Sequence, residues 1–425
     1  MKKTMTIISH ASRILIGLLF VFSGYVKAID PLGFTYKLDE YFESLHILFL
    51  SPLALTISIL IIAAELVMGL CLLARVRMKL VAWGVLLFML FFTILTFYIA
   101  LKGDVVKDCG CFGDVLVLSN IATFLKNLAA MPFVIFIFLW RKNYTPVAKC
   151  ITEWSIAIIF FALALGIELY CLRNLPIIDV MPYRAGTNIP NSMEYPEDAK
   201  PDIYKTTYYY SKNGETKEFD DTNYPWNDST WTYVDAKSEL VEKGYEPPII
   251  DFEIRTEDGE DITANIVYSE KFTFIFILRK TEQADISDIN KINEIADYCR
   301  DSDDFDFYAY TSSASDDADK FIEKTNAAYL FCFGDETVIK TMLRSNQGLM
   351  LVKDGNILAK WSHQNIPTTD EIKKLAATDS QTIIARTKAK ERNTTIILAA
   401  IALIFICFIN IRKYKPQKHH RHRIN

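Results

Sequence analysis

Apolar residues gather into six blocks along the chain, at residues 10–29, 52–74, 79–101, 119–140, 153–172 and 394–411. Each block is close to the roughly 20 residues that a helix needs to cross a bilayer. A cleaved signal peptide is the alternative for the first block, but no small-residue cleavage pattern follows it. The pattern therefore predicts five clustered spans, a long polar region and a sixth closing span at 394–411.

The polar region changes character along its length. Residues 176–246 are rich in Tyr, Pro, Asn and Asp, and so many aromatic side chains argue against disorder. We expect a tethering segment with β-structure around Tyr204–Tyr210 and Thr230–Val234. From Pro247 the hydrophobic pattern becomes regular enough to predict alternating strands and helices over residues 247–378. The predicted strands are 249–255, 272–278, 304–311, 348–353 and 356–361, and the predicted helices are 285–299, 315–326, 336–344 and one that starts at Thr368.

Charge predicts the orientation of the chain. Lys and Arg cluster before the first block, between the second and third, between the fourth and fifth, and in the basic tail 412–425. The positive-inside rule places these segments and both termini in the cytoplasm, so residues 176–392 lie outside. Those residues hold 41 acidic and 25 basic side chains, a net charge of −16, whereas the rest of the chain carries +11. Such an acidic ectodomain excludes nucleic acid as a partner, and the basic tail is expected to lie on membrane lipid.

Two cysteines separated by one glycine are the strongest chemical signal. Cys109 and Cys111 lie in the short segment between the third and fourth blocks, at the membrane surface. Gly110 allows the turn that brings two such cysteines close together. The pair is interpreted either as a redox pair that exchanges with a partner thiol, or as a static disulfide or two unoxidised thiols. Lys102 and Lys107 would favour the thiolate, whereas Asp108 and Asp114 would disfavour it.

Other residues are weaker candidates. Cys171, at the outer end of the fifth block, is either a third, resolving thiol or an ordinary cysteine of a helix end. Glu65, Lys126 and Asn127 lie inside apolar blocks, where ionisable groups are costly and are functional candidates by default. They would bind a polar head group, a quinone or a proton, or they are structural. Lys27 is expected to reach the membrane interface. No metal-ligand cluster, phosphate loop or serine–histidine triad is evident.

The element order of residues 247–378 resembles a thioredoxin-like fold, and its opening resembles the TlpA-type membrane-linked thioredoxins. Active thioredoxins carry Cys-x-x-Cys after the first central strand, but residues 278–284 read Leu-Arg-Lys-Thr-Glu-Gln-Ala. A proline is also missing before the hairpin strand, where Asn346 stands. Because a thiolate is the nucleophile of this chemistry, the domain is expected to bind a client rather than to catalyse.

Residues 8–142 resemble the DoxX/MauE group of four-helix membrane proteins. The resemblance lies in Arg13, Gly17, Ser23-Gly24, Lys27, Asp30-Pro31, Glu65, the segment Asp108-Cys109-Gly110-Cys111-Phe112-Gly113 and Lys126-Asn127. A fifth helix at 153–172 and an ectodomain after it resemble the DoxX-type proteins of Bacteroidetes. The resemblance implies an α-helical transmembrane bundle in the bacterial inner membrane, a periplasmic α/β thioredoxin-like domain, and a role in periplasmic redox or protein maturation.

Three functional hypotheses follow. In the first, Cys109 and Cys111 exchange electrons with a membrane quinone or a periplasmic thiol protein, while the ectodomain docks a client. In the second, the protein is a non-enzymatic scaffold or assembly factor with structural cysteines. In the third, which ranks last because no broken-helix pattern is evident, Glu65 and Lys126 serve a small-solute carrier.

Overall fold

The computed structural model describes residues 2–102, 106, 109–242 and 244–411. Thr187–Phe252 form one compact unit, and the remainder of the described chain forms a second. The second unit contains both the helical bundle of the first half of the chain and the α/β domain of the second half.

Five helices of the described residues are long and apolar enough to cross a membrane. They agree with the first five predicted blocks, which confirms the predicted class of an α-helical membrane bundle. A short helix that was not predicted follows the first span, and 3-10 turns occupy Leu48–Leu53 and Gly113–Val115. The helices of the bundle are α1 (Lys2–Ile29), α2 (Pro31–Ser44), α3 (Ala54–Ala74), α4 (Met78–Lys102), α5 (Asn120–Trp140) and α6 (Cys150–Arg173).

Helix α2 begins at a strong local signal. Pro31 occupies the first turn, where a missing N–H costs nothing. The carboxylate of Asp30 accepts a hydrogen bond from the N–H of Gly33 at 3.0 Å, which satisfies one free donor of the helix start. Phe34, Leu38 and Tyr41 are buried. This segment therefore folds back onto the bundle instead of lying loosely along its surface.

Helices α1 and α3 pack closely because glycines face the neighbouring backbone. A Cβ added at Gly24 would lie 2.8 Å from the backbone nitrogen of Leu66, and one at Gly69 would lie 2.7 Å from that of Val21. Small residues at such crossings allow the close van der Waals contact that holds helices together in lipid.

The smaller unit is mainly antiparallel β-structure, in which the middle strand pairs with one on each side. It agrees with the β-structure predicted for the tethering segment. Its elements are α7 (Ile189–Met193), β1 (Ile203–Lys212), β2 (Glu215–Phe219) and β3 (Thr232–Glu242).

The α/β domain follows the predicted order, with three differences, one of which is the short helix Thr263–Val267 that was not predicted. The predicted strand 249–255 is wrong, since only Arg255–Thr256 pair in the sheet, and a strand at Leu330–Phe333 was missed because it is only four residues long. The elements are β4 (Arg255–Thr256), α8 (Thr263–Val267), β5 (Phe272–Leu278), α9 (Ile289–Arg300), β6 (Phe305–Thr311), α10 (Ser315–Thr325), β7 (Leu330–Phe333), α11 (Glu336–Met342), β8 (Gln347–Lys353), β9 (Asn356–Ser362) and α12 (Thr369–Ala376).

The sheet of this domain has the order β4-β7-β6-β5-β8-β9. Strand β5 is parallel to β6 on one side and antiparallel to β8 on the other, and β8 and β9 form the predicted hairpin. Every residue of β5 is buried, as a central strand covered on both faces requires. This topology is thioredoxin-like.

A last helix, α13 (Ser380–Ile411), contains the predicted sixth block. Phe405 of this helix packs against Phe160 of α6, with ring centroids 5.8 Å apart. It is not one of the five helices that meet the length and hydropathy criteria among the described residues. The span at 394–411 therefore stays a prediction, and the tail 412–425 lies outside the described residues.

Candidate functional site: a cysteine pair on a cavity in the bundle

The cysteine loop, which we define as residues 109–114, joins α4 to α5 at one end of the bundle. Gly110 and Gly113 both adopt positive φ, at 64° and 53°, and the N–H of Gly113 donates to the carbonyl of Gly110 at 3.1 Å. Only glycine adopts this backbone without strain. The turn brings the Sγ atoms of Cys109 and Cys111 to 3.0 Å.

Two side chains of the bundle fix the backbone of this loop. The Ser23 hydroxyl of α1 donates to the carbonyl of Cys111 at 2.6 Å, and the Tyr41 hydroxyl of α2 donates to the carbonyl of Cys109 at 2.9 Å. Cys109 and Phe112 are both 5% exposed. The loop is thus held against the bundle at both cysteines, and Tyr41 is a site residue that the sequence did not reveal.

Both cysteines line a cavity of about 240 Å³ inside the bundle. Most of its wall is apolar, and Phe91, which is 60% exposed, carries the wall to the lipid-facing surface of α4. Its polar members are few and lie near the cysteines. They are Ser23, Lys27, Tyr41, Glu65, Lys126 and Asn127. The structure therefore brings the predicted polar residues Glu65, Lys126 and Asn127 together with the cysteine pair.

Glu65 forms a buried ion pair with Lys27. The Lys27 ammonium contacts the Glu65 carboxylate, and the two residues are only 4% and 5% exposed. Lys27 was expected to reach the membrane interface, but its ammonium is buried. The Glu65 carboxylate beside it compensates the positive charge inside the bundle. Its ammonium also lies 5.1 Å from the ring centroid of Phe34.

Lys126 and Asn127 lie on neighbouring positions of α5. The Lys126 ammonium lies 4.2 Å from the ring centroid of Phe112 in the cysteine loop, a cation–π distance. Asn127 is buried and its side-chain nitrogen donates to the Thr96 hydroxyl of α4 at 3.4 Å. Lys126 therefore places a positive charge beside the loop.

The two thiols differ in acidity. A hydrogen bond from Cys109, aided by the positive charges of Lys126 and Lys27, lowers the pKa of Cys111. The same hydrogen bond, together with burial, raises the pKa of Cys109. The cations that act on Cys111 come from α1 and α5, whereas Lys107 and Asp108 lie outside the described residues. Cys111 is thus the more acidic thiol of the pair.

The remaining cysteines lie elsewhere. Cys171 is 2% exposed within the apolar core of the bundle, and it is not among the residues that line the cavity. The structure does not bring it to the pair. In the α/β domain, Cys299 of α9 and Cys332 of β7 are both buried and both free thiols. No group of His, Cys, Asp and Glu suited to a metal ion occurs among the described residues.

The N-terminal part of the chain can be compared with known families at this point. Residues 5–141 match the family described as Methylamine utilisation protein MauE. The bundle is MauE-like. This confirms the resemblance drawn from the Cys-Gly-Cys segment and its surroundings. Residues 204–243 match a Domain of unknown function, DUF8463. No curated protein matches the chain.

Solved structures similar to this chain are described as thiol–disulfide enzymes. The C-terminal domain of a protein from Bacteroides thetaiotaomicron, assigned as a thiol-disulfide oxidoreductase, is 17% identical; the match covers 32% of this chain and 93% of that chain, with a TM-score of 0.26. A secreted disulfide oxidoreductase of Mycobacterium tuberculosis is 12% identical over 30% of this chain and 95% of that chain, with a TM-score of 0.23. Because these values are low, the thioredoxin-like assignment of the α/β domain rests on its strand order.

Proposed function

We propose that this MauE-like protein is a membrane thiol oxidoreductase in which Cys109 and Cys111 exchange electrons with a quinone bound in the adjoining cavity. The observation that carries the proposal is the position of both cysteines on the wall of an apolar cavity that reaches the lipid-facing surface. Ligand sites of this kind are mostly apolar with a few convergent polar groups. A quinone has such a character, with an apolar ring and two carbonyl oxygens.

The residues near the pair have distinct roles in this proposal. Cys111 supplies the thiolate, since its pKa is lowered whereas that of Cys109 is raised. Lys126, beside Phe112, and the Lys27–Glu65 pair provide charged groups next to the sulfur atoms. Asn127 lines the same cavity and offers a donor or an acceptor to a carbonyl oxygen.

The overall reaction balances without another reactant. The two thiols of Cys109 and Cys111 lose two electrons and two protons and form one disulfide bond. A quinone gains the two electrons and two protons and becomes a quinol. A dithiol protein then reduces the Cys109–Cys111 disulfide, and its own two thiols form a disulfide. We place this reaction at the outer face of a bacterial inner membrane, with the cysteine loop and the thioredoxin-like domain in the periplasm, as the charge pattern of the sequence favours.

The test measures the redox state of the pair in isolated membranes by differential alkylation, with and without a short-chain ubiquinone. In the wild-type protein we expect quinone to convert reduced Cys109 and Cys111 to the disulfide. Cys109→Ser and Cys111→Ser should each abolish quinol formation, because one thiol alone forms no intramolecular disulfide. Cys171→Ser is the matched control, since this buried thiol does not line the cavity, and it should leave quinol formation unchanged.

A pair that stays in one state whatever the quinone and reductant would contradict the proposal. That result would favour the scaffold hypothesis, in which both serine variants keep their function.

A further inference from the structure

One edge of the thioredoxin-like domain lies on the cysteine loop. We call it the docked edge and define it as residues 279–284 with 340–347. Arg344 of this edge donates from Nε to the Asp30 carboxylate at 2.9 Å and from Nη2 to the Asp114 carboxylate at 2.6 Å. Its side chain is only 8% exposed. One guanidinium thus joins the start of α2 and the cysteine loop to the domain, through charge-assisted hydrogen bonds, the strong kind.

Tyr36 of α2 is the second contact of the docked edge. Arg279 donates a hydrogen bond to the Tyr36 hydroxyl. The Lys340 ammonium lies 5.0 Å and the Arg344 guanidinium 5.6 Å from the centroid of the same ring. Three cations of one edge therefore face a single aromatic side chain of the bundle, with Asp30 and Asp114 beside it.

The docked edge is the part of a thioredoxin fold that carries the reactive dithiol in active members. It is built here by the end of β5 and the start of β8, where the N–H of Lys280 donates to the Asn346 side-chain oxygen at 3.2 Å. No cysteine stands on it. The docked edge therefore lies where an active thioredoxin presents its dithiol, but it carries no thiol.

Helix α2 covers the turn between the two cysteines, beside the point where Arg344 of the docked edge reaches Asp114 of the cysteine loop. Gly110, between the two cysteines, is buried, and a Cβ added to it would lie 3.0 Å from Cγ of Lys37 in α2. Cys109 is 5% exposed and faces the cavity. A small molecule needs only the cavity to contact the pair, whereas a protein that approaches the cysteine loop at Asp114 meets Arg344 of the docked edge.

We propose that the thioredoxin-like domain is a displaceable lid, and that its docked edge occupies the surface on which a dithiol protein with a thioredoxin fold reaches Cys109 and Cys111. This proposal rests on the proposed function. With the lid displaced, a partner thiolate attacks the Cys109–Cys111 disulfide and forms a mixed disulfide, and one cysteine leaves as a thiolate. The second partner thiol then breaks the mixed disulfide, so that the partner is oxidised by two electrons and the pair is reduced.

The first test compares alkylation of the reduced, full-length protein by N-ethylmaleimide and by a bulky polyethylene glycol maleimide. In the wild-type protein only the small reagent should label Cys111 rapidly. Arg344→Gln removes both ion pairs, so labelling by the bulky reagent should accelerate at least about tenfold, with little change for the small one. Asp114→Asn is a milder second variant, because Asp114 is partly exposed, and should act in the same direction.

Arg300→Gln is the matched control. Arg300 lies on α9, is 56% exposed and pairs only locally with Asp297, so its loss should leave labelling unchanged. Equal labelling by the bulky reagent in the wild-type protein, Arg344→Gln and Asp114→Asn would overturn the lid.

The second test follows reduction of the oxidised pair by reduced thioredoxin and by dithiothreitol. We expect dithiothreitol to reduce the wild-type protein and Arg344→Gln at similar rates, and thioredoxin to reduce the variant much faster. An equal rate with thioredoxin in both proteins would overturn the proposed partner. If the disulfide forms and is reduced in these assays but quinone never oxidises the pair, the proposed function would be contradicted and the lid would still be supported.

Discussion

At the scale of single residues, a glycine and two lysines give the cysteine pair its character. Gly110 adopts a backbone that other residues reach only with strain, and Lys27 and Lys126 place positive charge near Cys111. The sequence marked the two cysteines, Glu65, Lys126 and Asn127, but it assigned the thiolate effect to lysines of the same loop. Residues distant in sequence supply that effect, because α1 and α5 converge on the loop.

The first prediction concerns the pH dependence of the pair. Because the pKa of Cys111 is lowered, its alkylation rate should rise with pH and level off at a lower pH than that of an ordinary cysteine. Cys109, whose pKa is raised, should stay protonated and slow over this range. Alkylation with iodoacetamide, read residue by residue by tandem mass spectrometry, checks this. Lys126→Gln should move the midpoint upward; a midpoint near the ordinary cysteine value in the wild-type protein would refute the assignment.

The second prediction concerns the buried ion pair. Lys27→Met leaves the Glu65 carboxylate without its partner and should cost about 3 kcal/mol of stability. The double variant Lys27→Met with Glu65→Leu should recover most of this loss, because two apolar side chains avoid the desolvation of both charges. Thermal unfolding in detergent measures both variants. A double variant as unstable as the single one would show that the pair stabilises the bundle by itself.

At the scale of elements, the short helix α2 decides the site. Its Tyr41 anchors the cysteine loop, and its Phe34 and Leu38 line the cavity. Its Tyr36 contacts the docked edge. Its position depends in turn on the close packing of α1 against α3.

The third prediction tests that packing. Gly24→Val would push a side chain against the backbone of Leu66 and should destabilise the bundle by about 1–3 kcal/mol, as overpacking does. It should also increase the separation between α1 and α3, whose packing supports the cavity. Gly166→Val on α6 is the control, because nothing lies within 4 Å of a Cβ at that position. Thermal unfolding in detergent compares them, and equal stability of the two variants would contradict the close α1–α3 contact.

At the scale of the whole molecule, the bundle and the thioredoxin-like domain meet at the cysteine loop. Polar contacts extend beyond the docked edge: Lys360 of β9 pairs with Asp179, and Asn365 donates to the Asn174 side chain at the end of α6 at 2.6 Å. These contacts join the domain to the segment that follows α6.

The fourth prediction tests the orientation in the membrane. Lys320→Cys on the exposed face of α10 should react with an impermeant maleimide in cells whose outer membrane is permeable and whose inner membrane is intact. Asn143→Cys, exposed at the opposite end of the bundle, should react only after lysis. Both variants carry Cys150→Ser to remove an exposed native thiol. Labelling of Asn143→Cys in unlysed cells would show that the orientation in the membrane is opposite to the predicted one.

The sequence by itself determined those elements of this protein that have a strong hydrophobic pattern. Long apolar blocks predicted five spans within a few residues, because a bilayer demands a fixed length of apolar helix. A run that is apolar except for Thr273 predicted strand β5 at 272–278, with the bounds that the structure gives. The Cys-Gly-Cys spacing marked Cys109 and Cys111 as the candidate pair, since that signal is local.

Only the tertiary structure decided what surrounds the pair. Helix α2 was missed because its mixed aromatic and charged residues lack a strong hydrophobic period. The ion pair of Glu65 with Lys27 was missed because burial in the bundle, and not distance along the sequence, brings the two together. The separation of Cys171 from the pair and the contact of Arg344 with Asp30 and Asp114 likewise depend on packing between segments far apart in the chain. Local patterns determine elements; long-range packing determines which side chains share a site.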